Sequence, residues 1–273
     1  MPRQQLEIAT GFYTSDSLPL CAQRCINWIP VIPQAEALNQ RALFDAPGLT
    51  LFSTVTGANR GGQEMKEIAY FVNGTSLFSV SSTGVSTNLG TIEGTGRVSL
   101  ANNGQYLVIV VPNGKAYAYD NVSSALAEIT DVDFTARKAS AVVYKDGYFV
   151  FSAADGSVFF NSSLNDPFTF SGLDFGTAEI NPDRIIGLHV NHNELYVLGV
   201  ETIELFQNVG GSGFPFQRIP GANIQKGVHS SYSVSEFDNT FTFVGGGINE
   251  ASAIWKVTGS SSAVKISTSA IDN

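Results

Sequence analysis

Charged side chains are scarce in this sequence, only 14% of 273 residues, where soluble domains average about 25%. Lys and Glu, which usually cover exposed helix faces, are few, and that argues against a helical architecture. The charge that is present is mostly acidic: 24 Asp and Glu against 15 Lys and Arg, a net charge of −9. Such a chain has no broad cationic surface from which a nucleic acid could release counterions. Its arginines (Arg3, Arg24, Arg41, Arg60, Arg97, Arg137, Arg184 and Arg218) are scattered rather than clustered, so nucleic-acid binding is not expected as the main activity. Cysteine is nearly absent too. Cys21 and Cys25 are too few for a disulfide-framed secreted domain. A zinc site would need two further ligands at matching spacing, and His189, His192 and His229 are remote, so both cysteines read as reduced structural thiols. No apolar run is long enough to span a bilayer, so no membrane anchor is expected. Residues 1–10 carry Arg3 and Glu7 and no apolar core, which leaves no secretory signal to expect. Without that signal, the Asn-x-Ser/Thr triplets at Asn73, Asn121 and Asn161 read as turn residues.

Glycine and aromatics are plentiful: 27 Gly, 19 Phe and 9 Tyr. Frequent turns and aromatic strands account for both. The central run shows the grammar. Residues 139–144 and 148–153 are strand-like and flank Lys145-Asp146-Gly147, and residues 157–162 follow Asp155-Gly156. Asp-Gly between alternating runs is a strong hairpin signal, because a type I′ turn needs positive φ. Residues 168–173 supply a fourth strand. The same beat gives strands at 97–102, 106–111, 115–120 and 126–130, with Asn-Gly at 103–104 and 113–114. It gives 49–55, 67–72, 76–80 and 85–91 upstream, around Asn73-Gly74. Downstream it gives 185–190, 194–199, 202–208 and 214–219, then 230–235, 240–245, 253–258 and 263–267. The second strands begin near 67, 106, 148, 194 and 240, a period of about 40–46 residues that matches a four-stranded propeller blade. A sandwich or irregular barrel would explain the alternation but not this even beat. The fold expected is all-β, a β-propeller of four-stranded antiparallel blades, five of them readable, over residues 49–273. Residues 1–48, with Pro19, Pro30, Pro33 and Pro47 and no hairpin repeat, read as an extended N-terminal arm with at most a turn near 34–39. The chain stops just after a fourth strand, and the propeller is expected to be truncated at its C-terminal end.

Candidate chemistry is thin. His189-x-x-His192 places one histidine in a strand and the other in a turn, off any shared helix face. Asp131-Val132-Asp133 could start a calcium loop, but Ala136 and Val142 stand where such a loop needs Gly and Glu. Residues 152–159 only faintly resemble the Asp box of sialidase propellers, since Asp155 and Gly156 are adjacent and Phe159 replaces the closing Trp. The glycine runs 210–213 and 245–247 do not open helices, so they cannot cradle phosphate in the usual way and read as blade-connecting loops. No Ser/His/Asp or Cys/His set stands out. We therefore expect no enzyme, no cofactor and no metal. The candidate partner contacts are Trp28 in the arm and Gly211, Gly213 and Gly246 in the glycine loops.

Several motifs occur in a telling order. Gly11-Phe12-Tyr13 leads to Gln23-Arg24-Cys25-Ile26-Asn27-Trp28-Ile29-Pro30 and then Ala46-Pro47-Gly48-Leu49. Later come Asp183-Arg184-Ile185-Ile186-Gly187, Thr202-Ile203-Glu204-Leu205-Phe206, Gln225-Lys226-Gly227 and Ile266-Ser267-Thr268-Ser269-Ala270-Ile271. This series resembles the packaged-DNA stabilisation proteins, the tail accessory or hub proteins, of short-tailed bacteriophages, over nearly the whole chain. The resemblance implies a structural virion protein of the tail, assembled in the host cytoplasm. It implies a six-copy ring that joins the portal and adaptor proteins to a tail needle or tailspikes and helps retain packaged DNA, with non-specific DNA contact at most. It offers no catalytic residues. The other function the fold class allows is a carbohydrate- or receptor-binding propeller.

Overall fold

The computed structural model describes residues 25–31, 42–154, 156–178, 183–211 and 213–272. Most of the arm, the turn expected near 34–39 and Asp155 of the second Asp-Gly turn lie outside those residues. The chain divides into two compact units, Met1–Leu51 with Ser267–Asn273 and Phe52–Ile266. In the smaller unit, β1 (Trp28–Val31) and β2 (Ala42–Asp45) form an antiparallel hairpin in which Trp28 faces Asp45 and Ile29 faces Phe44.

The larger unit contains five antiparallel sheets arranged as propeller blades. The first joins β3 (Asn59–Met65), β4 (Ile68–Asn73), β5 (Ser76–Val80) and β6 (Ser86–Thr91). The second joins β7 (Ser99–Asn102), β8 (Tyr106–Val110), β9 (Ala116–Asp120) and β10 (Ala125–Glu128). After a short helix, α1 (Val132–Arg137), the third joins β11 (Ala139–Lys145), β12 (Tyr148–Ala153), β13 (Val158–Ser163) and β14 (Asp166–Thr177). The fourth joins β15 (Ile185–Asn191), β16 (Glu194–Gly199), β17 (Ile203–Asn208) and β18 (Phe216–Ile224). The fifth contains β19 (Gly227–Val228), β20 (Ser235–Phe237), β21 (Thr240–Gly246), β22 (Ala253–Val257) and β23 (Ala263–Lys265), and α2 (Ser269–Asp272) follows it.

Turn chemistry sets this meander. Asp146 and Gly147 take φ of 49° and 90° between the paired residues Lys145 and Tyr148, the left-handed pair that a type I′ hairpin turn requires. The opening strands β3, β7, β11 and β15 of successive blades abut one another and so form the inner ring. Side chains stitch that ring. The Ser99 hydroxyl accepts from the Val142 amide at 3.0 Å, and Asn102 Nδ2 donates to the Glu64 carbonyl at 3.0 Å.

Middle strands lie between two blades and are apolar on both faces, as strands buried on both sides must be. In β8, Leu107 and Ile109 enter the core shared with the first blade, while Val108 and Val110 enter the core shared with the third. A third core, built on Val150, Phe159, Val197 and Phe206, joins the third and fourth blades. A fourth, built on Tyr196, Leu198, Phe241 and Phe243, joins the fourth and fifth. Among the described residues no buried cluster joins the fifth blade to the first. Five blades therefore share four cores.

Three expectations change. The opening strand of the first blade is Asn59–Met65 rather than 49–55: the hairpin reverses at Lys66 and Glu67, both with positive φ, which fixes its partner as β3. The opening strand of the fifth blade is not one run at 230–235. A 3-10 turn at Ser231–Ser233, capped by the Ser230 hydroxyl, splits it into β19 and β20. Residues 131–133, which lack the Gly and Glu of a calcium loop and read as carboxylates of an inter-blade loop, do lie between the second and third blades but open a helix there. Asp131 is the N-cap of α1, its carboxylate accepting from the amides of Asp133 and Phe134, and its second oxygen accepts from the Phe170 amide in β14.

Candidate contact surfaces

The residues of the Asp183–Gly227 motif series serve the fourth blade and its joints: Ile185 and Phe206 enter the core shared with the third blade, and Gly187 and Gly227 lie against the fourth–fifth joint. The Asp183 carboxylate accepts from the amides of Glu201 and Thr202 at 2.6 and 3.0 Å, tying the entry of the fourth blade to its β16–β17 turn. Gly187 lets Ser231 of the fifth blade approach so closely that a Cβ there would sit 2.6 Å from the serine Cβ. Gly227 lies flush on the Val200 carbonyl, whose oxygen would be 1.7 Å from an added Cβ. Glu204 is buried, with Arg218 3.8 Å away. Gly187 and Gly227 bring the fourth and fifth blades together, whereas the Asp183 and Glu204 contacts lie within the fourth blade.

The contact residues expected from the sequence separate. Trp28 is half-exposed on β1. Gly211 and Gly213 are exposed in the β17–β18 loop with φ of 124° and 98°. Gly246 is buried at the end of β21, facing the backbone of Ala251, and the exposed residue nearby is Ile248.

Sequence reasoning missed a groove on one end of the fourth and fifth blades. Three hairpin turns build it: Asn191–Glu194, Phe237–Thr240 and the one after Val257. It comprises two adjoining cavities of about 340 and 460 Å³ that share Asn191, His192, Asn239 and Thr240. His192, Asp238 and Asn239 have φ of 52°, 52° and 58°, which projects polar side chains at the tips. The one available signal was that Asn, Asp and His cluster at three turns that only the blade stacking brings together.

The electrostatics of the groove are settled locally. Tyr196 donates to Glu194 Oε2 at 2.7 Å, and burial together with that carboxylate raises the phenol far above its usual range. Lys256 pairs with Asp238 and holds its carboxyl low. Behind the groove, His189 packs on Phe241 with ring centroids 4.5 Å apart, and its Nε2 is buried with no hydrogen-bond partner among the described residues. Burial lowers its pKa, with Glu236 opposing. Carboxamides, carboxylates and the half-exposed ring of Phe237 equip the groove to hold a ligand by hydrogen bonds and stacking. Among the described residues no group of three His, Cys, Asp or Glu side chains is placed to hold a metal ion.

Arg97, at the entry to the second blade, places its guanidinium 4.5 Å from the Tyr232 ring centroid in the 3-10 turn of the fifth. This contact links the second blade to the fifth. Stacked four-stranded blades with abutting inner strands, turn-borne polar tips and interlocking cores define a β-propeller. The chain belongs to the family described as Bacteriophage P22 Gp10, β-propeller, whose model matches residues 4–273. That family is one of bacteriophage proteins. The chain is 27% identical to the tail hub protein gp10 of Salmonella phage P22 over 294 residues, covering all of this chain and 59% of that protein. The chain thus spans well under two thirds of that relative's length. Among solved structures, the computationally designed protein Ika8 aligns with a TM-score of 0.50 at 17% identity, over 79% of this chain and 64% of that one. The β-propeller domain of Myceliophteria thermophila Cps50 (Swd1) aligns at a TM-score of 0.44 and 12% identity, over 74% of this chain and 84% of the other.

Proposed function

We propose that this protein is a tail hub and head-completion factor. It joins the portal–adaptor complex to the distal tail, the needle and tailspikes, and helps retain packaged DNA. It acts as a six-copy ring assembled in the host cytoplasm, without catalysis and without a cofactor. The observation that carries this reading is the family match along residues 4–273 on a fold whose signature residues build blade joints. A rigid stack presents turns on two ends for partners, as connecting loops on a scaffold commonly do. The arm of residues 1–48, with Trp28, and the glycine loop at 210–213 are the proposed partner contacts; beside the buried Gly246 the exposed Ile248 takes the place expected for the loop at 245–247. The net charge of −9 suits weak, non-specific contact with DNA, which must leave the particle again. Particles assembled without the protein should lose packaged DNA on standing, measured as nuclease-sensitive genome; normal retention would remove the stabilising role.

A second reading is a carbohydrate- or receptor-binding propeller, and the amide- and carboxylate-lined groove beside Phe237 is what favours it. A glycan array probed with the purified chain discriminates. Binding that is lost in Asn239→Ala supports this reading, and an array without hits removes it.

A further inference from the structure

The blades carry three Asn-Gly pairs, Asn73-Gly74, Asn103-Gly104 and Asn113-Gly114. Such a pair has a chemistry of its own. The glycine amide nitrogen, with no Cβ beside it to block the approach, can attack the asparagine carboxamide carbon and expel ammonia. Folding decides which pair reacts, because both the carboxamide and the amide must be free to move.

Two of the three are held. Asn73 is buried; its Oδ1 accepts from Asn59 Nδ2 at 2.8 Å, and its Nδ2 donates to the Gly57 carbonyl at 3.4 Å. The Gly74 amide donates to the Ala58 carbonyl at 2.9 Å. Asn103 Oδ1 accepts from the amides of Gln105 and Tyr106 at 2.9 and 2.7 Å, and the Gly104 amide donates to Asn102 Oδ1 at 3.1 Å. Asn113 differs. It is exposed, and its carboxamide makes no hydrogen bond among the described residues. Only the Gly114 amide is held there, by the Val111 carbonyl at 2.8 Å. That bond closes a turn with Pro112 second and Asn113 third, and the asparagine φ is 61°. This is the type II pattern, whose third position favours glycine. The turn is also a tie between blades. The Asn113 amide donates to the Ala139 carbonyl at 3.1 Å, joining the β8–β9 turn of the second blade to the first residue of β11 in the third. Val110, Ala116 and Ala139 beside it belong to the core those blades share.

We infer that Asn113 is a deamidation site whose conversion slackens the joint between the second and third blades. The Gly114 nitrogen gives up its proton and bonds to Asn113 Cγ; the Cγ–Nδ2 bond breaks and ammonia leaves. A cyclic imide remains, and water opens it. Opening at Cγ gives aspartate, and opening at the main-chain carbonyl gives isoaspartate. One water is consumed and one ammonia released, with no oxidant, reductant or cofactor. In isoaspartate the main chain runs through the former side chain and gains one carbon between residues 113 and 114. The Gly114–Val111 and Asn113–Ala139 bonds fit the shorter path, so the added carbon breaks at least one of them. The site is a property of the fold and needs no partner.

The test ages the full chain in warm, mildly alkaline buffer, then digests it for mass spectrometry. The peptide spanning 98–115 carries both Asn103 and Asn113, and its fragments tell them apart. Asn113 should gain about one dalton. Isoaspartyl methyltransferase should label it about tenfold faster than Asn73 or Asn103, the difference of two net hydrogen bonds. Conversion at Asn73 or Asn103 as fast as at Asn113, or none at Asn113, overturns the inference. In urea the three sites should convert at similar rates; selectivity that survives unfolding would belong to the neighbouring sequence and overturn the structural assignment. Hydrogen exchange reads the slackening. The residue-113 amide should exchange severalfold faster as conversion proceeds, while in Asn113→Gly, which keeps the amide and suits the positive φ, exchange should stay constant on ageing. Conversion with unchanged exchange at residues 113 and 114 overturns the slackening.

Discussion

Gly227 shows how much one missing methyl can decide. Its α-carbon rests on the Val200 carbonyl, and a Cβ would lie 1.7 Å from that oxygen. The contact is backbone on backbone, so no side chain can swing away and the two blades must separate. Gly227→Ala should destabilise by about 2–3 kcal/mol, seen as a thermal midpoint lower by roughly 4–12 °C for a chain of this size. Gly156→Ala, where nothing lies within 4 Å of the added carbon, should leave the midpoint unchanged. His189 gives the second prediction at this scale. Burial favours its neutral form and Glu236 only partly offsets that, so its folded pKa lies below the ordinary value. A group with a depressed folded pKa contributes stability that is complete above its unfolded pKa, about 6.5 for histidine. That stability is lost as pH falls from there through the folded value. Urea midpoints measured from pH 7.5 down to 5 should drop more steeply in the wild type than in His189→Phe, and parallel curves would show that the imidazole is not the group responsible.

Between residue and blade, α1 is the element with the most unexpected role. The Asp131 carboxylate caps it and also accepts from the Phe170 amide, so one side chain fixes a helix end and the strand beside it. Phe134 on that helix contacts Phe151, Phe160 and Phe170 and thereby joins the core between the second and third blades. Asp131→Ala should cost about 1–2 kcal/mol, and exchange of the Asp133 and Phe134 amides should quicken before that of β12; Asp131→Asn should recover most of the loss. The helix was not legible because its six residues are fewer than two turns, too short for a helical period to show, and the Asp-Val-Asp spacing imitated a ligand pattern. The strands were legible because turn residues with positive φ punctuate them, as at Asp146-Gly147. The opening strand of the first blade was misplaced because β3 contains Gly61 and Gly62, which carry no β signal; close packing of Val98, Leu100 and Phe71 demands them instead. The groove was illegible for another reason. Its turns are some 20–70 residues apart in sequence and meet only through stacking. Gly246 suggested a surface loop, and that suggestion fails to account for its burial because glycine marks tight packing as readily as exposure.

At the scale of the molecule, no buried core among the described residues joins the fifth blade to the first, and the described stack behaves as a line with two ends. In such an array each unit is stabilised by its neighbours, and end units by one neighbour only. The interior blades share two cores each: Phe151 of β12 lies in one and Val150, the next residue, in the other. The fifth blade depends on the single core around Phe241 and Phe243, plus the Arg97–Tyr232 contact across the axis. That contact is a partly exposed cation–π pair worth about 0.5–1 kcal/mol, too little to replace a core. Phe243→Ala removes a fully buried ring from the one core that the fifth blade shares among the described residues, a loss of about 3–5 kcal/mol. Hydrogen exchange should then show the amides of β21 and β22 opening together at low denaturant while β8 and β12 stay protected, since their cores are intact. The equivalent change in the middle, Phe151→Ala, should loosen the blades on both sides of it. If Phe243→Ala instead lowered protection equally in all five blades, the seam between the fifth and first blades would have to carry energy comparable to the four cores, and the stack would unfold as a closed ring.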